Sequence, residues 1–286
     1  MNGKNCIVTG GNSGIGFETA LAIAKKGANL IIVSRNREKG EKAVNEVKEQ
    51  SGNENVSLQV VDMGSQNSIH SGAEAISKLW DKIDVLVNNA GTWFSKRVLT
   101  EDGVETQFAV NHLAYFLFTR QLLPLLRKAS EARVVNVASD SHFQGKMHFE
   151  DLSLEGKYHG LKAYAQSKLG NVLFAYEFDR RKPDDNISIY AVQPGLVKTD
   201  IGLKHTFSIH GLVWKLRRMG GVSPAEGAAT SIYLATSPEA AGKSGKYWDK
   251  CEPKSSSKRS YNKEDAERLW DISCKLCDID DYFQVR

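Results

Sequence analysis

Asn5-Cys6-Ile7-Val8-Thr9-Gly10-Gly11-Asn12-Ser13-Gly14-Ile15-Gly16 is the stretch on which the fold turns. A short, mostly apolar run ends at Thr9, a glycine-rich turn follows, and Phe17 to Lys26 is predicted as a helix. Strand, glycine turn, helix is the order a phosphate site requires. Glycines let the backbone approach a pyrophosphate, and a helix N-terminus offers it free N–H groups and a positive dipole end. The spacing, G-x-x-x-G-x-G, departs from the G-x-G-x-x-G fingerprint, so a plain tight loop stands as the alternative. The first candidate cofactor contacts are Gly10, Asn12, Ser13, Gly14, Ile15 and Gly16.

Outward from this turn, a second strand is predicted over Asn29 to Val33, then Ser34-Arg35-Asn36-Arg37 and a polar helix to about Gln50. At the end of such a strand an acidic side chain would accept from the ribose 2′-OH of NAD, and an arginine would accommodate a 2′-phosphate. Ser34 and Arg35 stand there with no Asp or Glu before Glu38, so NADP(H) is expected over NAD(H). The competing reading has Arg35 simply opening a solvated charged helix. A third strand, Val56 to Val61, runs into Asp62-Met63, where Asp62 either caps the next helix or meets the adenine edge. After a helix over Gln66 to Trp80 and a strand over Asp84 to Val87, Asn88-Asn89-Ala90-Gly91 suits a turn bordering the cofactor, or any ordinary turn.

Gly103 to Leu126 is predicted largely helical, with Asn111 among apolar neighbours. Asn is unfavourable inside a helix and invites a hydrogen-bonding role, unless it faces solvent. The strand Arg133 to Val137 ends at Ala138-Ser139-Asp140-Ser141, placing the Ser139 hydroxyl where ligands bind in open parallel sheets. Leu161 to Phe178 has helical spacing and contains Tyr164-Ala-Gln-Ser-Lys168. Residues four apart share a helix face. A phenol titrates near pH 10, so a fixed ammonium beside it would bring it toward the working range of an acid-base catalyst. A sixth strand, Ile187 to Val192, leads to Pro194-Gly195-Leu196-Val197-Lys198-Thr199 at the same edge.

The 286 residues are 41% hydrophobic and 25% charged, a composition that suits a folded domain and argues against disorder. With a net charge of +4 and no aromatic-basic stripe, nucleic-acid binding is not expected. Cys6 falls in an apolar strand, and Cys274-Lys-Leu-Cys277 is a lone C-x-x-C without a second pair. Neither a disulfide framework nor a metal site is expected. The first strand begins almost at once, and no uncharged apolar run reaches spanning length; a cytoplasmic protein is the expectation.

Strands alternate with helices to about residue 236, which predicts an α/β fold: a single-domain doubly wound, Rossmann-like parallel β-sheet flanked by helices. Residues 1–250 are assigned to dinucleotide binding and catalysis, and 251–286 to a C-terminal loop and closing helix of the same domain. Gly242 to Trp248 is predicted as the last strand, Lys250 to Lys258 as a polar loop, and Asn262 to Leu276 as the closing helix. Residues 200–223 mix Ile201, Leu203, Phe207 and Trp214 with Lys204, Lys215, Arg217 and Arg218. They read as a lid over a lipophilic substrate, a peripheral membrane contact, or a core helix with a basic face. His142, Phe143, Met147, Phe149 and Tyr158 are expected to shape the pocket.

Gly10/Gly14/Gly16, Asp62, the Asn-Asn-Ala-Gly turn, Asn111, Ser139, Tyr164-x-x-x-Lys168 and Pro194-Gly195 together resemble the short-chain dehydrogenase/reductase family. Thr106 to Leu113 and Tyr233 to Tyr247 are similar to its retinol-dehydrogenase-like group. The resemblance implies hydride transfer between NADP(H) and a lipophilic alcohol or carbonyl compound, with a homo-oligomer favoured. It implies Tyr164 as general acid-base, Lys168 lowering its pKa and holding the nicotinamide ribose, and Ser139 binding the substrate oxygen. Asn111 would hold a water linking Lys168 to solvent, Asn89 to Gly91 would flank the adenine-ribose side, and Thr199 would contact the carboxamide. The non-enzymatic alternative is a dinucleotide-binding sensor or scaffold.

Overall fold

Strand β1 (Asn5–Thr9) is buried along its whole length, and its side chains go alternately to two cores, Ile7 to one and Cys6 and Val8 to the other. A strand covered on both faces has to be apolar throughout, as parallel strands under helices are. The same alternation runs through β2 (Asn29–Ser34), β4 (Val85–Asn88), β5 (Ala132–Val137) and β6 (Ile187–Gln193). With β3 (Val56–Val60), β7 (Lys246–Asp249) and β8 (Glu252–Lys254) they form one sheet in the order β3-β2-β1-β4-β5-β6-β7-β8. β8 alone pairs antiparallel. The structure, a computed structural model, describes residues 1–195, 197 and 221–284.

Helices α1 (Gly14–Lys25), α2 (Arg37–Ser51) and α6 (Pro224–Thr236) cover one face. The other carries α3 (Gln66–Leu79), α4 (Ala114–Arg127), α5 (Gly160–Arg181) and α7 (Lys263–Leu276). β1 sits between β2 and β4, so the strand order reverses there. In doubly wound sheets that reversal opens a crevice at the carboxyl ends of the strands, where ligands bind.

Several boundaries differ from expectation for identifiable reasons. α1 starts at Gly14 rather than Phe17, which puts Gly14 to Gly16 in its first turn. Gly103 is not helical; it has φ +74°, and the chain makes a small turn in which Thr100 N–H donates to the Val104 carbonyl before helix begins at Thr106. Ala109–Leu113 is then a π turn, with Ala114 N–H reaching back to the Ala109 carbonyl, before α4 continues past Pro124 to Arg127. Gly242 and Gly245 lie at positive φ in a turn that precedes β7. The stretch expected as a loop after it is a tight hairpin through Lys250 and Cys251 into β8, followed by a short 3₁₀ turn, Lys258–Tyr261.

The closing segment is bound firmly to the larger core. Tyr282 donates to the Phe116 carbonyl at 2.9 Å, and its ring packs against Phe116 and Trp270 with centroids 4.5 and 4.6 Å apart. Burial pushes the Cys274 and Cys277 thiols up to about 11 and about 12. Burial thus disfavours the thiolate form of both. Among the described residues no helix is long and apolar enough to cross a membrane.

Candidate active site

The turns after β1 and β4 are built against each other. A Cβ on Gly16 would stand 2.3 Å from the Gly10 carbonyl oxygen and 2.4 Å from Asn89 Nδ2. Gly10 itself has φ +65°, and a Cβ there would stand 2.9 Å from the Ala90 Cα. Both positions are closed to any larger residue. Thr9, fully buried, ties the two turns: its Oγ1 accepts from the N–H groups of Asn89 and Ala90, each at 2.9 Å. Asn89 Nδ2 returns a hydrogen bond to the Thr9 carbonyl at 2.9 Å. The side chain of Ser13, at the N-cap of α1, makes no capping bond, so the first N–H groups of that helix face the crevice unclaimed by it.

At the carboxyl end of β2, Ser34 is buried and donates to the Asn36 carbonyl, whereas Arg35 is 72% exposed and only 3.8 Å from the Asp62 carboxylate. Such an exposed, loosely held pair contributes little. Asp62 does not cap α3. Ser65 does, accepting from Ser68 N–H, while Asp62 Oδ1 accepts from Gly64 N–H at 2.8 Å and so shapes the turn that also holds Met63.

Beyond β5, Ser139 caps a 3₁₀ turn (Asp140–Gln144), its Oγ accepting from Ser141 N–H at 3.2 Å. The same hydroxyl stands near enough to the Tyr164 phenol to favour its ionised form. From α5, Lys168 is 3% exposed; its Nζ donates to the Val137 carbonyl at 2.9 Å and lies 5.6 Å from the Tyr164 ring centre. Burial pushes the Tyr164 phenol up to about 12, opposed only by the nearby Ser139 hydroxyl, and brings Lys168 down to about 7. The expected lowering of the phenol by the ammonium is therefore not what the protein alone produces; loss of hydration outweighs it. Asn111, in the π turn, spends both amide protons and one oxygen lone pair: Oδ1 accepts from Thr92 N–H at 2.7 Å, and Nδ2 donates to the Thr92 carbonyl and Ser167 Oγ, each at 3.0 Å.

Residues 4–206 match the family model for short chain dehydrogenase. The chain belongs to the short-chain dehydrogenase/reductase family. Within it, the chain falls in the retinol-dehydrogenase-like group. It is 39% identical over 277 residues to retinol dehydrogenase 12 of Mus musculus, covering 97% of this chain and 87% of that one. Against retinol dehydrogenase 13 of Homo sapiens it is 38% identical over 285 residues, covering 97% and 86%. A solved structure of an uncharacterised Mycobacterium paratuberculosis protein superposes with a TM-score of 0.78 at 29% identity, covering 99% of this chain and 96% of that one. The NADP complex of Pseudomonas aeruginosa RhlG shares the fold, with a TM-score of 0.68 at 24% identity over 86% of this chain and 94% of that one.

Membership makes this short-chain dehydrogenase/reductase an oxidoreductase of a family that uses nicotinamide cofactors. Its own residues fit such a group, since Gly10 and Gly16, where no Cβ can stand, let the β1 and β4 turns meet tightly beside a helix N-terminus without a side-chain cap. Tyr164, Lys168, Ser139 and Asn111 share the carboxyl edge of the sheet with Gly10 to Gly16, Asn89 to Gly91 and Pro194-Gly195. Val197 is half-buried, pairing with Val222 and packing on Gly227 of α6. Thr199, Leu196, and 200–220 of the expected lid lie outside the described residues.

The residues expected to shape the pocket divide sharply. Phe143 is half exposed, while Met147 is core and Phe149 packs against it under Arg268. Tyr158 donates to Glu105 and accepts from Gln107. His142 is fully buried and bonded at both ring nitrogens. Two supporting residues went unnoticed in the sequence, Thr9 and Asn171, whose Nδ2 shares the Val137 carbonyl with Lys168 at 3.3 Å. Thr9 was findable as a strand-end hydroxyl before the glycine turn, and Asn171 as a second polar group three residues past Lys168 on the same helix face.

Proposed function

We propose that this protein is an NADP(H)-dependent oxidoreductase that interconverts a lipophilic carbonyl compound and its alcohol, with Tyr164 as the general acid-base group. The observation that carries the proposal is the buried Lys168 amine, 5.6 Å from the Tyr164 ring centre, with the Ser139 hydroxyl acting on the same phenol, at the same sheet edge as the glycine turn. When bound, the nicotinamide supplies or accepts the hydride. Gly10 to Gly16 and Asn89 to Gly91 hold the dinucleotide, Asp62 and Met63 line its adenine side, and Pro194, Gly195 and Val197 border its nicotinamide end. Arg35 favours NADP(H), because its exposed guanidinium, only loosely paired with Asp62, is open to a 2′-phosphate.

Burial favours the protonated phenol, which donates to the carbonyl oxygen in reduction and takes the proton back in oxidation. Ser139 orients that oxygen. Lys168, near 7, exchanges its proton readily at working pH and returns one to the phenolate. Asn111 contributes by fixing the Thr92 main chain and Ser167. The lipophilic substrate class rests on the relatives, which are retinol dehydrogenases by name.

The test is NADPH and NADH consumption by wild type and Tyr164→Phe on lipophilic aldehydes and ketones, retinal included. Turnover with NADPH that drops by about 10²–10⁴-fold in the variant, while NADPH still binds, is the expected outcome. Binding without consumption in either protein would turn the reading toward a dinucleotide sensor.

A further inference from the structure

His142 sits three residues after Ser139 and takes no direct part in the chemistry above. Its ring is completely buried, between Phe143 and Tyr247, with centroids 4.2 and 4.8 Å away. Nδ1 lies 2.7 Å from the Ser139 carbonyl oxygen, which also accepts from His142 N–H at 3.0 Å. Nε2 lies 3.0 Å from the Ser257 N–H. A carbonyl only accepts and a peptide N–H only donates, so the ring must carry its proton on Nδ1 and none on Nε2. Burial lowers the pKa of this imidazole, favouring that neutral form.

Ser257 belongs to a segment with a polar network of its own. Ser256 bonds Tyr176 on α5 and Ser260, both at 2.7 Å; Ser260 donates to the Ser257 carbonyl; and Ser256, Ser257 and Ser260 are all buried. Arg259 adds a bond to the Gly145 carbonyl at 2.8 Å, at the far end of the same 3₁₀ turn that Ser139 caps. Thus both ends of the Ser139 turn are held from residues 257–259, which lie beyond the stretch matched by the family model.

We propose that His142 is a positioning residue for the Ser139–Tyr164 pair: as its Nδ1–H tautomer it locks the Ser139 backbone to Ser257, so that the 255–261 segment determines where the Ser139 hydroxyl stands. The proposal rests on the functional reading above. Losing the lock lets the turn drift. The Ser139 hydroxyl then moves away from the Tyr164 phenol it favours in ionised form, which impairs the chemical step while leaving the β1 glycine turn untouched.

Three variants of the full chain separate the two halves of the lock. His142→Phe keeps a ring and loses both bonds. His142→Asn retains a donor at the depth of Nδ1, and His142→Gln an acceptor at the depth of Nε2. Expected are a fall in kcat of about 10–100-fold in His142→Phe, NADPH affinity within about twofold of wild type, and partial recovery in the other two. Amide exchange at Ser257 should quicken in His142→Phe and His142→Asn and stay slow in His142→Gln. Unchanged kcat, or a loss confined to KM or NADPH affinity, would overturn the proposal. If His142→Phe does not fold, wild-type kcat in both Asn and Gln variants overturns it equally. Absence of turnover in wild type as well sinks the functional reading, and the exchange pattern then decides the lock by itself.

Discussion

The turns after β1 and β5 lie at the same sheet edge but are made in different ways. Around Gly10 and Gly16 the structure is backbone against backbone, with Thr9 the main side chain binding it together. Around Ser139 it is side chains throughout: Lys168, Asn171, Tyr164, His142 and Gln193, whose Oε1 accepts from Asp140 N–H at 2.9 Å. A backbone cradle is specified by what cannot be there, namely a Cβ. A side-chain cluster is specified by groups from distant parts of the chain, each buried at a cost that only its partners offset.

The largest test of this contrast is Lys168→Met. The amine titrates near 7 when folded and near 10.5 otherwise, so from pH 7 to 10.5 the unfolded chain holds the extra proton and stability rises with pH. Relative to the variant, wild type should gain up to about 1.4 kcal/mol per pH unit as pH rises across that window, the gain vanishing on return to pH 7 with no further change below it. Urea titrations at several pH values read this directly, and parallel curves would refute the buried amine. Turnover should be lost in the same variant.

Gly16→Val breaks the other side of the comparison. Its Cβ would meet the Gly10 carbonyl, so NADPH affinity should fall at least about 100-fold, roughly 3 kcal/mol. Gly156→Ala, which meets nothing within 4 Å, should bind normally. Fluorescence titration distinguishes the two. Thr9→Val is smaller and measures the link between the β1 and β4 turns: with the N–H groups of Asn89 and Ala90 left unpaired, a loss of about 2 kcal/mol is expected in denaturant unfolding. The smallest effect is Arg35→Ser. It should reduce the NADPH over NADH preference about tenfold, or 1.4 kcal/mol, with stability unchanged; an unaltered ratio of kcat/KM would exclude Arg35 from cofactor choice.

These differences also explain what could be read in advance. The sheet was legible because strands covered on both faces are continuous apolar runs, and Gly10, Gly14 and Gly16 stand out against them. Helix ends were less so. Gly103 reads as a helix start only while the turn from Thr100 to Val104 is unseen, and the π turn at Asn111 follows from an amide whose partners, Thr92 and Ser167, are 19 and 56 residues away. The relation of Tyr164 to Lys168 was half legible. Helical spacing brings them to one face, but burial decides their proton affinities, and burial is a property of everything packed around them.

By itself the sequence determined the parallel sheet, the glycine cradle and the residue types at its carboxyl edge, because each is a local demand of periodicity, of backbone freedom or of strand ends. Tertiary structure alone decided that His142 is bound to Ser257, 115 residues on, that Asp62 shapes a turn while Ser65 caps α3, and that Lys168 sits dry beneath Val137. Hydrogen bonds and desolvation depend on which groups the packed chain brings within 3 Å or so of one another, and no spacing along the chain encodes that distance.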